Sequence, residues 1–129
     1  MKPHELLAKA ERALTSADLL LSADDPEGAC NRAYYAMFDS ARAALLRIAP
    51  DFLEIKTHGG LISAFSQHLV KAGHIPVEFG RAINAVEDMR VAADYKSESI
   101  KPDNAAWAVA EAHRFVDALR QFVARRDKD

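Results

Sequence analysis

An arginine, a tyrosine and an aspartate share one face of a predicted helix in the first half of the chain. At about 100° per residue, Arg32, Tyr35 and Asp39 fall together, with Ala36 and Ala43 between them. Arginine can bind a phosphate through its permanent, forked guanidinium, and a neighbouring tyrosine can contact a ligand or a partner. A plain solvated face would carry more lysine and glutamate. We therefore expect this small-residue face to approach a ligand or partner closely, and we look for the function here.

The opposite face of the same helix is apolar. It consists of Cys30, Tyr34, Met37, Phe38, Ala41, Leu45 and Ile48. We expect this stripe to pack into a core, and its phase places Tyr34 there rather than at a site. Cys30 is the only cysteine of the chain, so no disulfide can form within it and a buried thiol is predicted.

The remaining sequence predicts helices throughout, because apolar residues recur at three- and four-residue steps. The predicted helices span residues 3–22, residues 26–48, a shorter segment after residues 57–60, a segment ending near residue 95, and a segment opened by Pro102. Asp25 is the predicted cap of the second helix, with Pro26 as its first residue. No alternating run predicts a strand. The fold class is therefore all-α, an antiparallel four- to five-helix bundle in one domain, residues 1–129.

Two further expectations concern packing in the last helix and the C-terminal tail. Trp107 and Phe115 recur at helical spacing, which predicts core positions rather than a platform for a ligand. The charged tail, residues 125–129, is expected to fray.

The composition limits the function classes. The net charge is −2 with 28% charged residues, which argues against a broad nucleic-acid-coating surface and allows only a local RNA contact. No apolar run is long enough for a membrane span or a signal region, so we predict no membrane partner and a cytoplasmic protein. The five histidines and one cysteine show no ligand spacing, and neither a metal nor a cofactor is predicted.

Three separated segments carry a family resemblance. Residues 31–38, which read NRAYYAMF and are followed by Ala44-Leu45-Leu46, resemble the signature helix of the HEPN domain family. Residues 56–62 (KTHGGLI) and 90–95 (RVAADY) are similar to two further segments of the same family, in the same order. The resemblance covers nearly the whole chain.

The resemblance implies a small helical bundle that dimerises through its signature helices. Many members are metal-independent ribonucleases that act as toxins or defence effectors, and many are encoded beside a nucleotidyltransferase that neutralises or modifies them. Their active motif is an arginine followed, after four to six residues, by a histidine. Arg32 matches the arginine, but the three corresponding positions hold Met37, Phe38 and Asp39.

Asp39 and His58 are the two candidates for the role of the missing histidine, and each also has a non-catalytic interpretation. Histidine is a good base near neutral pH, whereas an aspartate there is a poor general acid and repels phosphate. Asp39 is therefore assigned to a salt bridge with the partner subunit's Arg32 in preference to catalysis. His58, which follows Thr57 at the start of a helix, could supply the imidazole or bind an anion. The preferred interpretation is a capping Thr57 with a solvent-facing His58.

A second set of residues is assigned to ligand or partner contact. Asn31 and Tyr35 accompany Arg32 on the signature helix. Arg90 and Asp94, four residues apart, are expected to form an ion pair within a helix. Tyr95 is expected to pack against the helix end rather than stack on a base, and it is kept in the set because it belongs to the third segment of the resemblance.

Two function hypotheses follow. The first is a non-catalytic, homodimeric HEPN module of a toxin–antitoxin or defence system that engages RNA, a nucleotide or a nucleotidyltransferase antitoxin. The alternative is an active metal-independent endoribonuclease toxin that uses Arg32 with Asp39 or His58 in place of the motif histidine. The absent histidine and the acidic net charge favour the first.

Overall fold

The structure is a computed structural model that describes residues 1–96 and 98–127. Within these ranges the chain forms five α-helices: α1 (Pro3–Ser22), α2 (Pro26–Ile48), α3 (His58–Phe65), α4 (Val77–Tyr95) and α5 (Pro102–Asp127). A 3-10 turn, Pro50–Glu54, precedes α3, and a π-helical turn, Ser66–Val70, extends it. The described residues contain no strand, and the predicted all-α class is confirmed.

The helices begin at the residues that cap them. Asp25 accepts a hydrogen bond from the Gly28 amide at 2.9 Å, and Pro26 follows it as the first residue of α2. Thr57 accepts a hydrogen bond from the Gly60 amide at 2.9 Å, which makes His58 the first residue of α3. Both caps confirm the sequence prediction, and the Thr57 cap fixes His58 at the N-terminus of α3.

The central element of the bundle is α2, which contacts each of the other helices. The three-residue link before it makes α1 and α2 an antiparallel hairpin. The apolar face of α2 packs into the core, where Tyr34, Met37 and Leu45 are fully buried. Cys30 is buried with them, and burial raises the pKa of its thiol to about 11, so the thiol stays protonated at neutral pH.

The small residues of the predicted outer face of α2 are covered by the chain itself, contrary to the sequence interpretation, whereas Arg32 and Tyr35 of that face stay partly exposed. Ala36 and Ala43 were assigned to an exposed small-residue surface, and both are completely buried. Three alanines of α1 are also completely buried: Ala10, Ala13 and Ala17. The small side chains allow another helix to pack closely on α2, as predicted, but the helix that packs there most extensively is α1 of the same chain.

Two expectations outside α2 are also corrected. Phe115 lies in the core, its ring centroid 5.2 Å from that of Phe65, but Trp107 is 42% exposed and is not a core residue. The expected fraying of the tail does not occur up to Asp127, because α5 continues to that residue and Arg47 contacts it. Arg47 also donates to the Arg126 carbonyl at 2.6 Å, which ties the last turn of α5 to α2. Residues 128–129 of the predicted tail lie outside the described residues.

None of the helices in the described part of the chain is long and apolar enough to cross a membrane.

Candidate functional site

The three segments of the family resemblance meet in the folded chain. His58, at the start of α3, lies against the signature helix α2, with its ring centroid 5.0 Å from Phe38, 5.4 Å from Tyr34 and 5.8 Å from Tyr35. Arg90 of α4 lies over the same tyrosines, its guanidinium carbon 5.0 Å from the Tyr34 ring centroid and 5.9 Å from that of Tyr35. The contacts therefore join an imidazole, a guanidinium and three aromatic rings from three helices.

His58 is held in place by a buried tyrosine. The Tyr34 hydroxyl lies 2.8 Å from Nδ1 of His58, a hydrogen bond in which either group can donate according to the imidazole tautomer. Because His58 is partly buried and bonded to the protein, the interpretation of a solvent-facing imidazole was wrong. Burial, followed by the nearby Glu87 carboxylate, raises the pKa of Tyr34 far above its ordinary value. The hydroxyl thus stays protonated and available for hydrogen bonding.

Arg90 is fixed by two carboxylates of its own helix. It forms the predicted ion pair with Asp94 at 3.2 Å. It also forms two hydrogen bonds with Glu87, from Nη2 to Oε1 at 2.9 Å and from Nε to Oε2 at 3.2 Å. Glu87 was not predicted from the sequence, although its position three residues before Arg90 is the usual spacing for such a pair. This bidentate contact holds the guanidinium plane beside Tyr34.

A second group of charges forms a pocket beside the aromatic rings. The pocket has a volume of about 280 Å³ and is lined by Lys9, Arg32, Tyr35, Phe38, Asp39 and Arg42. The Arg32 guanidinium carbon lies 5.8 Å from the Tyr35 ring centroid. In the described part of the chain, none of the three cations has a carboxylate within 4.0 Å. We call this the cationic pocket.

Lys9 and Arg42 are site residues that were not predicted from the sequence. Lys9 belongs to α1, and only the packing of α1 on α2 brings it to Arg32. Arg42 lies seven residues after Tyr35, a spacing that places both on one face of a helix, so helical periodicity could have indicated it. An adjacent cavity of about 430 Å³ shares Phe38 and Arg42 and adds Ile55 and Lys56, so the cationic surface continues past the first pocket.

Asp39 is enclosed by its own chain. Its exposed fraction is 4%, and burial raises the pKa of its carboxyl above the ordinary value, although Lys9, Arg42 and Arg32 act in the opposite direction. So little exposed surface disfavours the salt bridge to the partner subunit's Arg32 that the sequence suggested.

The other assigned residues lie at the edge of this arrangement. Asn31 is partly buried one position before Arg32, and Asp94 is exposed at the far side of Arg90. Tyr95 is 78% exposed at the end of α4, so the expectation that it packs against the helix end was wrong. Tyr95 is the last residue of α4, and its ring lies outside the bundle.

Comparison with known proteins identifies the family. A family model described as "HEPN domain" matches residues 3–122. The chain belongs to the HEPN domain family. A "UPF0332 protein" of Gloeobacter violaceus is 34% identical to this HEPN domain over 123 residues, which cover 94% of this chain and 95% of the relative. A Methanocaldococcus jannaschii protein named "Putative toxin MJ0605" is 34% identical over 116 residues, 90% of this chain and 84% of its own.

A further relative with a toxin name comes from the same archaeon. It is 28% identical over 126 residues, which cover 95% of this HEPN domain and 82% of the relative. Relative to the family motif described above, this HEPN domain keeps the arginine at Arg32 and has Asp39 at the last of the histidine positions. An imidazole and the arginine contact the same ring, since the His58 ring centroid and the Arg32 guanidinium carbon each lie 5.8 Å from the Tyr35 ring centroid.

Proposed function

We propose that this HEPN domain is a toxin-like protein that engages RNA through phosphate groups bound in the cationic pocket. The observation that carries the proposal is the convergence of Lys9, Arg32 and Arg42 on one pocket, in a chain whose net charge is −2. A local group of cations on a protein with negative net charge favours binding of an anionic group at that place over binding along a long stretch of nucleic acid. Two relatives with toxin names support the toxin-like role.

The neighbouring surface suits the rest of a ribonucleotide chain. Tyr35 and Phe38 are partly buried rings that line the pocket beside the cations. Unpaired bases stack on such rings with about 1–3 kcal/mol per base, largely without sequence preference. Arg42 and Lys56 of the adjacent cavity extend the positive charge towards a second phosphate. The contacts that this surface offers are to phosphates and ring faces, which position RNA without reading its sequence.

Removing Arg32 tests this proposal. We expect Arg32→Ala to weaken binding of a fluorescent single-stranded RNA about tenfold, since it deletes one charge-assisted phosphate contact. The slope of log affinity against log salt should become shallower by about 0.7 per lost phosphate contact. Fluorescence anisotropy over a salt series, with a chelator present, measures both quantities.

The matched control is Arg125→Ala, which removes an exposed arginine of α5 outside the pocket lining. This variant should retain the affinity of the parent protein. Equal affinities of Arg32→Ala and the parent protein would contradict the proposed pocket.

The proposal includes a homodimer and a nucleotidyltransferase antitoxin as partners. The dimer is supported by a stripe on α2 that its own chain leaves partly open, formed by Asn31, Tyr35, Phe38, Arg42 and Leu46. These residues follow steps of four, three, four and four, the spacing at which a helix presents one seam to another helix. Tyr35, Phe38 and Arg42 also line the cationic pocket, so the pocket would lie along the seam of the dimer. The antitoxin partner rests on the family resemblance alone.

A second candidate function is metal-independent RNA cleavage with His58 as the base. The observation that favours it is the hydrogen bond between the buried Tyr34 hydroxyl and Nδ1 of His58, which leaves Nε2 free to accept a proton when Nδ1 is the donor. His58 Nε2 would take the proton of a ribose 2′-hydroxyl, and the 2′-oxygen would attack the phosphorus. The bond from phosphorus to the 5′-oxygen would break, and the leaving oxygen would take a proton from water. Arg32 would stabilise the charge on the phosphate.

Replacing the imidazole tests this candidate. We expect purified protein to cleave RNA without divalent metal, and His58→Ala to slow cleavage by at least about 100-fold, the usual contribution of a general base. Product ends should carry 2′,3′-cyclic phosphate and 5′-hydroxyl groups. His68→Ala is the control, because that exposed imidazole also lies against a ring, Phe52, at 4.9 Å but outside the cationic pocket. If His58→Ala cleaves as fast as the parent protein, His58 is not the base.

A further inference from the structure

A hollow between α4 and α5 lies outside the cationic pocket. Its volume is about 300 Å³, which is at the lower end of the range for small-molecule sites. It is lined by Glu78, Arg81, Ala82 and Ala85 of α4 and by Trp107, Glu111 and Arg114 of α5. None of these residues lines the cationic pocket. Arg81 and Arg90 are separated by about 900° of helical rotation, so they lie on opposite sides of α4. We call this space the α4–α5 hollow.

One wall of the α4–α5 hollow is an aromatic face. Trp107 is 42% exposed, whereas Ala108 and Val109, which follow it in α5, are buried. Single apolar side chains on a protein surface are common and need no explanation. The Trp107 indole differs because the other apolar residues of the hollow are Ala82 and Ala85, whose short side chains leave the space beside the ring open. An indole in this setting can stack with a second planar ring.

Charges of both signs line the same hollow. Arg114 binds Glu111 at 3.2 Å and Glu78 at 3.4 Å, and its guanidinium carbon lies 5.6 Å from the Phe79 ring centroid. The two carboxylates and one guanidinium of this group carry one excess negative charge. Arg81 has no carboxylate of the described residues within 4.0 Å. The hollow therefore offers an unpaired cation and an excess negative charge beside one aromatic face.

The charges of the lining indicate the class of ligand. Arg81 and Arg114 balance Glu78 and Glu111, so the lining has no net charge. The two carboxylates would repel RNA or a phosphate group with two negative charges. A single carboxylate, in contrast, can pair with the Arg81 guanidinium through two parallel hydrogen bonds. An ammonium group can bind at the carboxylates, which accept hydrogen bonds and carry the excess negative charge.

We propose that the α4–α5 hollow binds a free aromatic amino acid in its zwitterionic form. The ring stacks on Trp107, the carboxylate pairs with Arg81, and the ammonium group binds the carboxylates that contact Arg114. Such a ligand carries one charge of each sign and one planar apolar group, which are the three features that the lining offers. This inference does not rest on the proposed RNA function, because the two sites share no lining residue.

The fluorescence of Trp107 tests the inference directly. Trp107 is the only tryptophan of the chain, so its emission reports on this hollow. The probe is L-phenylalanine, which does not absorb the light that excites tryptophan selectively. We expect a saturable change in emission with a dissociation constant of about 1 mM or below. Phenylalaninamide, which lacks the carboxylate, and N-acetylphenylalanine, which lacks the ammonium group, should each bind about tenfold more weakly.

Replacing the unpaired arginine identifies the partner of the ligand carboxylate. We expect Arg81→Ala to bind phenylalanine about tenfold more weakly than the parent protein does. Its affinity for phenylalaninamide should be unchanged, because that ligand has no carboxylate for Arg81 to bind. The control is Arg12→Ala, which removes an exposed arginine of α1 outside the hollow. Circular dichroism shows whether each variant is folded.

Three results would overturn the inference. The first is an emission that does not change up to about 10 mM phenylalanine. The second is equal affinity for phenylalanine and N-acetylphenylalaninamide, which has neither charge and would indicate a surface for an apolar side chain of a partner protein. The third is tighter binding of adenosine monophosphate than of phenylalanine, which would contradict the charge argument. Phenylalanine binding by a protein that binds no RNA would support this inference and contradict the proposed function alone.

Discussion

Asp39→Asn is expected to bind single-stranded RNA about tenfold more tightly than the parent protein. Asp39 is the one carboxylate among the residues that line the cationic pocket, where it opposes any phosphate that approaches Arg32. At an effective dielectric constant of about 20–40 and a separation of about 7 Å, that repulsion amounts to about 1–2 kcal/mol. Such a free energy corresponds to about one power of ten in affinity. Fluorescence anisotropy at fixed salt measures the change.

The same substitution should not lower stability at neutral pH. The pKa of Asp39 is raised in the folded protein, chiefly by burial, so the folded state holds this proton more tightly than the unfolded state. The corresponding stabilisation is present below the ordinary pKa of aspartate and is lost as the pH rises through the raised value. At neutral pH the ionised carboxylate therefore opposes folding. Asp39→Asn removes that cost, and we expect an equal or higher free energy of unfolding at pH 7 but no gain in acid.

Asp88→Asn is the control for both measurements, because Asp88 is an exposed carboxylate of α4 outside the cationic pocket. It should change neither the RNA affinity nor the unfolding free energy appreciably. Weaker RNA binding or slower cleavage by Asp39→Asn would instead show that the carboxylate contributes to the site, which is the role that the sequence left open for it.

Tyr34→Ala is expected to lower the free energy of unfolding by about 3–5 kcal/mol, the range for deleting a buried aromatic ring. Tyr34 is completely buried, and its ring contacts Tyr35, Phe38 and His58 as well as the Arg90 guanidinium. Its loss opens a cavity at the point where three helices meet. Urea denaturation followed by circular dichroism measures the change.

Two companion variants separate packing from hydrogen bonding. Tyr34→Phe keeps the ring and removes only the hydroxyl, so it should cost about 1 kcal/mol. Tyr95→Ala removes a tyrosine that is 78% exposed and should stay within about 0.5 kcal/mol of the parent protein. If Tyr34→Phe were as destabilising as Tyr34→Ala, the hydrogen bond to His58 rather than the ring would dominate at this position.

The helices could be predicted because their signals are local. Asp25 and Thr57 cap the helices that they precede, and the period of the apolar residues follows from helix geometry alone. The Arg90–Asp94 pair was predictable for the same reason, since four residues make one helical turn. At Ala36, helical periodicity predicted the face of α2 on which the residue lies. It did not predict whether that face packs against a helix of the same chain or against a partner.

The sequence by itself determined the fold class, the family and the arginine around which a site should form. The tertiary structure decided which groups join that arginine. Lys9 reaches the pocket through the packing of α1 on α2, and His58 turns from solvent towards the core because the Tyr34 hydroxyl binds it. Arg90 lies over the Tyr34 ring only because α4 packs beside α2. Helical periodicity acts over a few residues, whereas these contacts join positions 23 or more apart, and only burial of the apolar faces brings those positions together.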